Sequence, residues 1–389
     1  MLAVLVTVCV LLITCCLYAT FLPRRLRRYS SLAAHESRLR QVLSSLEGRP
    51  PGSKLSLHRR TSSSNTIRNA SHKSDASYFP VDLSPFHHIL ELNLDPTDDE
   101  GDDPAPSPYV ICEPGILISD LVRELLRHGV TLPVVVELPG ITIGGAISGG
   151  GLESSSWLHG QFMDTILELD CLTPTRTRCS PRENADLFYA ISASYNTVAL
   201  LTRVKIRLQR ASRYVAIRVE RCGSWDAAVE GMGRDEGADC IEGIAYSPDE
   251  IAVVRGWYTD TATVGGDPAG SVGSTGVRRF GRHWDRWYYK VIRDVVGAHA
   301  TAAETQTDKH HKSRQGYTPD GAVDRDRASV RDRPADMVVP LWDYYFRYNY
   351  GAFWMASYVL DLLGGDSLAL RLIIGWMLDT KHLFSVLHS

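Results

Sequence analysis

Residues 142–165 read TIGGAISGGGLESSSWLHGQFMDT, with Gly144, Gly145, Gly149, Gly150 and Gly151 falling inside eight positions. Glycine loses more backbone freedom on folding than any other residue. A run this dense is kept where the chain turns sharply or where another body comes so close that a Cβ would collide with it. A Walker A loop would need Lys-Ser/Thr after its last glycine, and none follows. A G-x-G-x-x-G dinucleotide fingerprint would need glycine at Ser154, and there is no G-x-S-x-G elbow. What remains is GG-x3-GGG-x2-SSS, backbone N–H groups and hydroxyls in succession. That pattern suits a pyrophosphate cradle and equally a glycine-rich turn with a structural role.

The chain has 389 residues, room for two medium domains, and its net charge of −3 gives no general attraction to nucleic acid. Leu2 to Leu22 carry no charge, a length that crosses a bilayer core, and Arg24, Arg25, Arg27 and Arg28 follow. A cleavable signal would carry its charge before a shorter apolar run. The order here predicts a single-pass signal anchor with everything after Arg24 in the cytosol. Three of the eight cysteines lie in that span, and Cys112, Cys171, Cys179, Cys222 and Cys240 form no CxxC pair. The pattern predicts neither a zinc site nor a disulfide framework, in keeping with a reducing compartment. Asp98–Asp103 and His310–His311 read as surface loop, so no metal is expected.

Along the chain, residues 31–47 are polar and helical in character, as expected of a juxtamembrane connector. FHHILELNL and YVICEPG read as strands, and ISDLVRELLRHGV as a helix stopped by Gly129. TILELDCLT and RTRCS read as a hairpin. ENADLFYAIS reads as a helix capped by Asn184. LLTRVKIRLQ alternates as a half-buried strand. Strands paired locally with few helices between them predict an α+β fold. From about residue 213 the pattern becomes strand, helix, strand, strand, a second domain. Residues 304–334 are polar and read as an insertion, and the tail from PLWDYYFRYNYGAFW onward is aromatic and apolar.

The block VVELPGITIGGAISGGGLESSSWLHGQFMDTILELDCLTPTRTRCSPRENADLFYAI resembles the delta(24)-sterol reductases, members of the vanillyl-alcohol oxidase / p-cresol methylhydroxylase class of FAD proteins. GRPPGSKLSL, VDLSPFHHILELNLD, VICEPGILISDLVRELLRHGVTLPVV, RHWDRWYYKVI, PLWDYYFRYNYGAFW and IIGWML carry the resemblance over most of the chain. It implies an anchor over 1–23, a connector over 24–47, a PCMH-type FAD-binding domain of two α+β subdomains over 48–212, and a substrate (cap) domain over 213–389. The family's cap continues further, so the cap is expected to be incomplete at its C-terminus and this chain nearly inactive alone. The resemblance also implies the endoplasmic reticulum membrane as location, a sterol as substrate and NADPH as reductant.

Carried over by position, the residues that hold FAD are Thr142, Ile143, Gly144, Gly145, Ala146, Ile147, Ser148, Gly149, Gly150, Gly151, Leu152, Glu153 and Ser154. No attachment histidine stands near Arg49, so the FAD is expected to be non-covalent. The implied reaction reduces the side-chain C24=C25 double bond, and an isolated alkene accepts hydride only with a proton at the neighbouring carbon. Tyr344, Tyr345 and Arg347 are the candidates for the acid region, each with a packing role as the alternative. Three departures stand out. SYNTVA puts Asn196 and Ala199 where the family has glycines, with a methyl clash expected at Ala199. Phe346 and Tyr348 replace two histidines. The chain stops at Ser389. A catalytically impaired sterol- or partner-binding homologue and another FAD-linked oxidase of the same fold are the competing readings.

Overall fold

A computed structural model describes residues 28–58, 77–95, 108–173, 175–234, 236–262, 277–307, 335–351 and 367–380. The apolar segment Leu2–Leu22, its flank through Arg27, Asp98–Asp103 and His310–His311 lie outside the described residues. Among the described residues no helix is long and apolar enough to cross a membrane.

The first helix, α1 (Leu32–Glu47), starts at Ser31, whose hydroxyl accepts the Ala34 N–H. It is not a free connector. Leu39 and Val42 pack with Val81, Phe86, Leu172 and Leu200 in one buried cluster, and His35 and Arg38 bond the buried Glu113. The helix is thus part of the first domain. Beneath it β1 (Lys54–His58) and β2 (Tyr78–Asp82) pair in parallel.

The main sheet of that domain is antiparallel. It uses β3 (Ile89–Asn93) and β4 (Tyr109–Cys112), then, past helix α2 (Ile118–Leu126), the short strand β5 (Val130–Thr131) and helix α3 (Ile143–Gly149), the hairpin β6 (Ile166–Leu172) and β7 (Arg176–Cys179). After helix α4 (Ala185–Ile191) comes the central strand β8 (Leu200–Arg207), giving the order β3-β4-β8-β6-β7, while β9 (Gln209–Arg210) pairs with β5. In β8 Val204 and Ile206 are buried, while Arg203, Lys205 and Arg207 alternate with them on the wetter face. Arg203 there bonds Asp170 and Glu168 of β6. Asn184 stands at the start of α4 as expected, but its side chain makes no cap and donates instead to the Arg178 carbonyl.

The second domain follows the strand, helix, strand, strand order read from the sequence: β10 (Tyr214–Cys222), α5 (Trp225–Gly233), β11 (Cys240–Ser247) and β12 (Glu250–Thr259). Helix α6 (Tyr288–Thr307) then runs into the segment expected as polar insertion. Strand β13 (Met337–Pro340) completes the sheet order β11-β12-β10-β13, and the short helices α7 (Leu341–Tyr345) and α8 (Leu368–Ile374) follow. The start of the aromatic tail is core, since Tyr344, Tyr345, Phe346 and Tyr348 are all buried. One apolar cluster runs from Ile147 and Phe162 through Val215 to Trp287 and Tyr344, so the two domains share a continuous interior.

Candidate functional site

The glycine run forms a helix with a tight turn at its end. Thr142 caps α3, its Oγ1 accepting the Gly145 N–H at 3.1 Å. The Gly144 N–H goes to the Pro114 carbonyl at 2.8 Å and that of Ala146 to the Thr142 carbonyl. These amides are therefore spent inside the protein, where the sequence suggested an anion cradle along the whole segment.

The glycines answer to different neighbours. A Cβ on Gly144 would lie 2.9 Å from Pro114 Cβ, and one on Gly151 2.7 Å from Phe162 Cβ. Two of the five are thus required by the protein's own packing. At Gly145 a Cβ would meet the capping Thr142 Oγ1 at 3.1 Å, so a bulky residue there tests the cap before it tests any ligand. Gly149 differs: it is exposed and a Cβ on it meets nothing within 4 Å. Gly150 (φ 98°) and Gly151 (φ 53°) follow with consecutive positive φ. The amides of Gly150, Gly151 and Leu152 are not among the donors engaged above, and such a turn offers a small anion concavity.

A second loop clamps this turn. Ala193, Tyr195 and Asn196 have φ of 52°, 53° and 61°. The Ala193 and Tyr195 N–H groups bond the Ile147 and Ser148 carbonyls, and Ser148 Oγ donates to Asn196 Oδ1 at 2.8 Å. Asparagine thus occupies the left-handed position that a glycine would, and ties it to α3. Ala199 shows no positive φ and is buried in the core, so its side chain brings no left-handed strain to this loop. Asn196→Ala is expected to lower stability by about 1–2 kcal/mol, from left-handed strain and the lost bond. Asn196→Gly, which relieves the strain, should stay within about 1 kcal/mol of the parent. Urea denaturation of the three proteins checks the order.

The end of the glycine segment joins the second domain. The Ser154 carbonyl accepts the Ile241 N–H at 2.8 Å, and Ser154 Oγ lies 3.2 Å from Tyr344 Oη. At this junction lies a cleft of about 340 Å³, walled by Glu137, Leu152, Glu153, Ser154, Ile241, Glu242, Gly243, Ile244, Arg347 and Tyr348. Its lining mixes apolar side chains with ionisable ones, Leu152 beside Glu153 and Ile241 beside Glu242. The Arg347 guanidinium, buried over the Tyr344 ring, donates to Glu242 at 2.8 Å and to the Tyr344 carbonyl at 2.8 Å.

Of the three residues singled out in the tail, Arg347 lines this cleft and Tyr344 reaches it through Ser154. Tyr345 does not line it: its hydroxyl accepts a bond from Thr131 Oγ1 at 3.2 Å, deep in the interior. Burial raises the Tyr344 and Tyr345 phenols above their ordinary value, so both are neutral. Tyr348, in place of a family histidine, donates to Glu242 at 3.1 Å, and Phe346 packs edge-on against Trp342. Sequence reading missed Glu137 and Glu242. Each is a lone carboxylate in an apolar run (VVVELPG, CIEGIAY), which was the available signal.

Residues 54–178 match the FAD binding domain family. This chain carries an FAD-binding domain. It is similar over 274 residues to the mouse Delta(24)-sterol reductase, at 27% identity, covering 69% of this chain and 44% of the relative. The Arabidopsis thaliana Delta(24)-sterol reductase is 25% identical over 362 residues, 89% of this chain and 55% of the relative. Cytokinin dehydrogenase 9 of Oryza sativa subsp. japonica is 30% identical over 114 residues, covering 29% and 22%. The chain spans about half the length of the sterol reductases it matches. The resemblance read from the glycine block therefore holds, and the relatives bear the names of oxidoreductases.

The residues present fit FAD. The open face at Gly149 and the positive-φ turn at Gly150–Gly151 leave room and amides for a diphosphate.

Proposed function

We propose that this chain is the FAD-binding and substrate-facing part of a delta(24)-sterol-reductase-like enzyme, which uses NADPH to reduce the C24=C25 double bond of a sterol side chain. The observation that carries this reading is the junction: the loop that fits the cofactor diphosphate continues directly, through Glu153 and Ser154, into the lining of an open cleft bordered by the second domain. Bound non-covalently, FAD would supply two-electron hydride chemistry there. The turn Gly149–Gly151 would hold its diphosphate, while Leu152, Ile241 and Ile244 give apolar surface suited to a hydrocarbon side chain. Arg347, fixed by Glu242 and by the Tyr344 carbonyl, keeps its charge in place as an electrostatic support. By the same family reading the domain sits on the cytosolic face of the endoplasmic reticulum membrane, tethered by residues 2–22.

Anaerobic titration of the FAD-loaded protein with NADPH, followed by desmosterol, tests the reading. Bleaching of the flavin band by NADPH is expected, and any return of the band on sterol addition identifies the oxidant. A flavin that NADPH leaves oxidised overturns the proposal. A second reading, a flavin dehydrogenase or oxidase acting on another substrate, is favoured by the similarity to cytokinin dehydrogenase 9 and by the ionisable groups lining the cleft. It predicts reduction of the flavin by an organic substrate without NADPH.

A further inference from the structure

The cleft brings three carboxyl groups and one buried cation together. Glu242 already takes that cation: Arg347 Nη2 and Nε reach its two oxygens at 2.8 and 3.3 Å, and the Tyr288 and Tyr348 hydroxyls donate to them as well. Glu137 and Glu153 share the remaining wall, where Glu153 Oε1 accepts the Glu137 N–H at 3.1 Å. With Arg347 engaged by Glu242, ionising both of these half-buried groups would put two uncompensated negative charges side by side in the cleft. One oxygen of Glu153 is fixed as an acceptor, leaving Oε2 as the atom to carry a proton.

We propose that Glu137 and Glu153 share one proton at neutral pH, and that Glu153 Oε2 is the atom that delivers it to substrate carbon in the cleft. The delivery rests on the flavin-reductase reading above; the shared proton does not. The bookkeeping of the step is simple. The Glu153 O–H bond breaks and the alkene π pair forms the new C–H bond, leaving a cationic neighbouring carbon that bound reduced flavin would saturate with hydride. The Glu153 carboxylate then regains a proton from water by way of Glu137. This places Glu153 in a different role from the cofactor contact that its position in the glycine segment suggested.

The surroundings agree. Burial first, and the Glu137 charge second, hold Glu153 well above the usual carboxylate range. Burial raises Glu137 too, against the pull of Arg347. Among the described residues, the other titratable groups around the pair supply no further cation. Cys240 and Glu242 come from β11, Tyr344, Arg347 and Tyr348 from the tail and Tyr288 from α6. Burial keeps the Cys240 thiol and the three tyrosines neutral.

Infrared difference spectra of the whole chain, with and without flavin, test the pair directly through the carbonyl stretch of a neutral carboxylic acid. The parent at pH 7 is expected to show a band that Glu153→Gln removes. Glu137→Gln, which removes the like charge, is expected to lower that band's titration midpoint by about one pH unit. Glutamine keeps the Oε1 acceptor, so both variants should fold. If Glu153→Gln does not, the midpoint in Glu137→Gln decides. A band unchanged by Glu153→Gln, an unmoved midpoint, or no neutral carboxyl at pH 7 overturns the proposal. Flavin content read from visible absorption separates the two readings. Colourless protein with the band leaves the shared proton and rejects the flavin; yellow protein without it does the reverse.

Discussion

Glu113→Ala is expected to destabilise the first domain by about 3–5 kcal/mol, the cost of stripping the shared acceptor from Arg38 and from the His35 and His88 ring donors. Glu113 is fully buried at the end of β4. Its Oε1 accepts from His35 Nδ1 at 2.7 Å and from Arg38 at 2.6 Å, and its Oε2 from the His88 N–H at 3.0 Å and His88 Nδ1 at 2.8 Å. One carboxylate thus pins α1 and the approach to β3 against β4. Burial pushes the carboxyl pKa up, but the hydrogen bonds from His35, Arg38 and His88 outweigh it and hold it at about 2. Because the folded value is depressed, the stabilisation is complete above the ordinary value of 4.5 and is lost as pH falls through about 2. His88 adds in the same direction, since burial lowers its pKa below 6.5. Urea midpoints measured from pH 7 downward should fall in the parent and fall less steeply in Glu113→Ala. A variant within about 1 kcal/mol of the parent at pH 7 would mean that α1 is held by its apolar face alone.

That node also marks where sequence reading stops. Hydrophobic alternation made β8 legible, because it must put one face against a core. Helix α2 was legible from Ile118, Leu121, Val122 and Leu125, all of them fully buried. Helix α1 was legible as a helix but not as part of the domain: its buried face includes His35, a polar residue that gives no apolar signal and whose partner lies 78 residues away. The candidate site divides in the same way. The glycine turn announces itself locally, since only glycine tolerates φ of 98° without strain. The cleft does not, because Glu137, Glu153, Glu242 and Arg347 come from separate segments joined only by the packing of β11 and the tail against the loop. The ordinary φ of Ala199 was not legible for a related reason. A glycine position in a related chain says nothing of the φ that the present backbone adopts.

The glycine run itself supplies the last and most discriminating expectation, because Gly149 and Gly151 lie two residues apart and fail in opposite ways. Gly151→Ala forces a Cβ to 2.7 Å from Phe162 Cβ at a φ of 53°. Left-handed strain of about 1–2 kcal/mol and overpacking of about 1–3 kcal/mol should add, giving a loss of roughly 3 kcal/mol whether or not flavin is present. Gly149→Ala meets nothing within 4 Å and closes helix α3. In the flavin-free protein it should be neutral or stabilising by up to about 1 kcal/mol, the helix preference of alanine over glycine. If the open face at Gly149 is kept for the FAD diphosphate, the same methyl occupies that space, and flavin affinity should fall about tenfold or more, equivalent to about 1.4 kcal/mol. Flavin-free stability by urea denaturation and affinity by fluorescence titration of FAD are then read on one pair of variants. Undiminished affinity in Gly149→Ala would show that the diphosphate lies elsewhere, leaving Pro114 and Phe162 as the bodies against which the glycines are pressed.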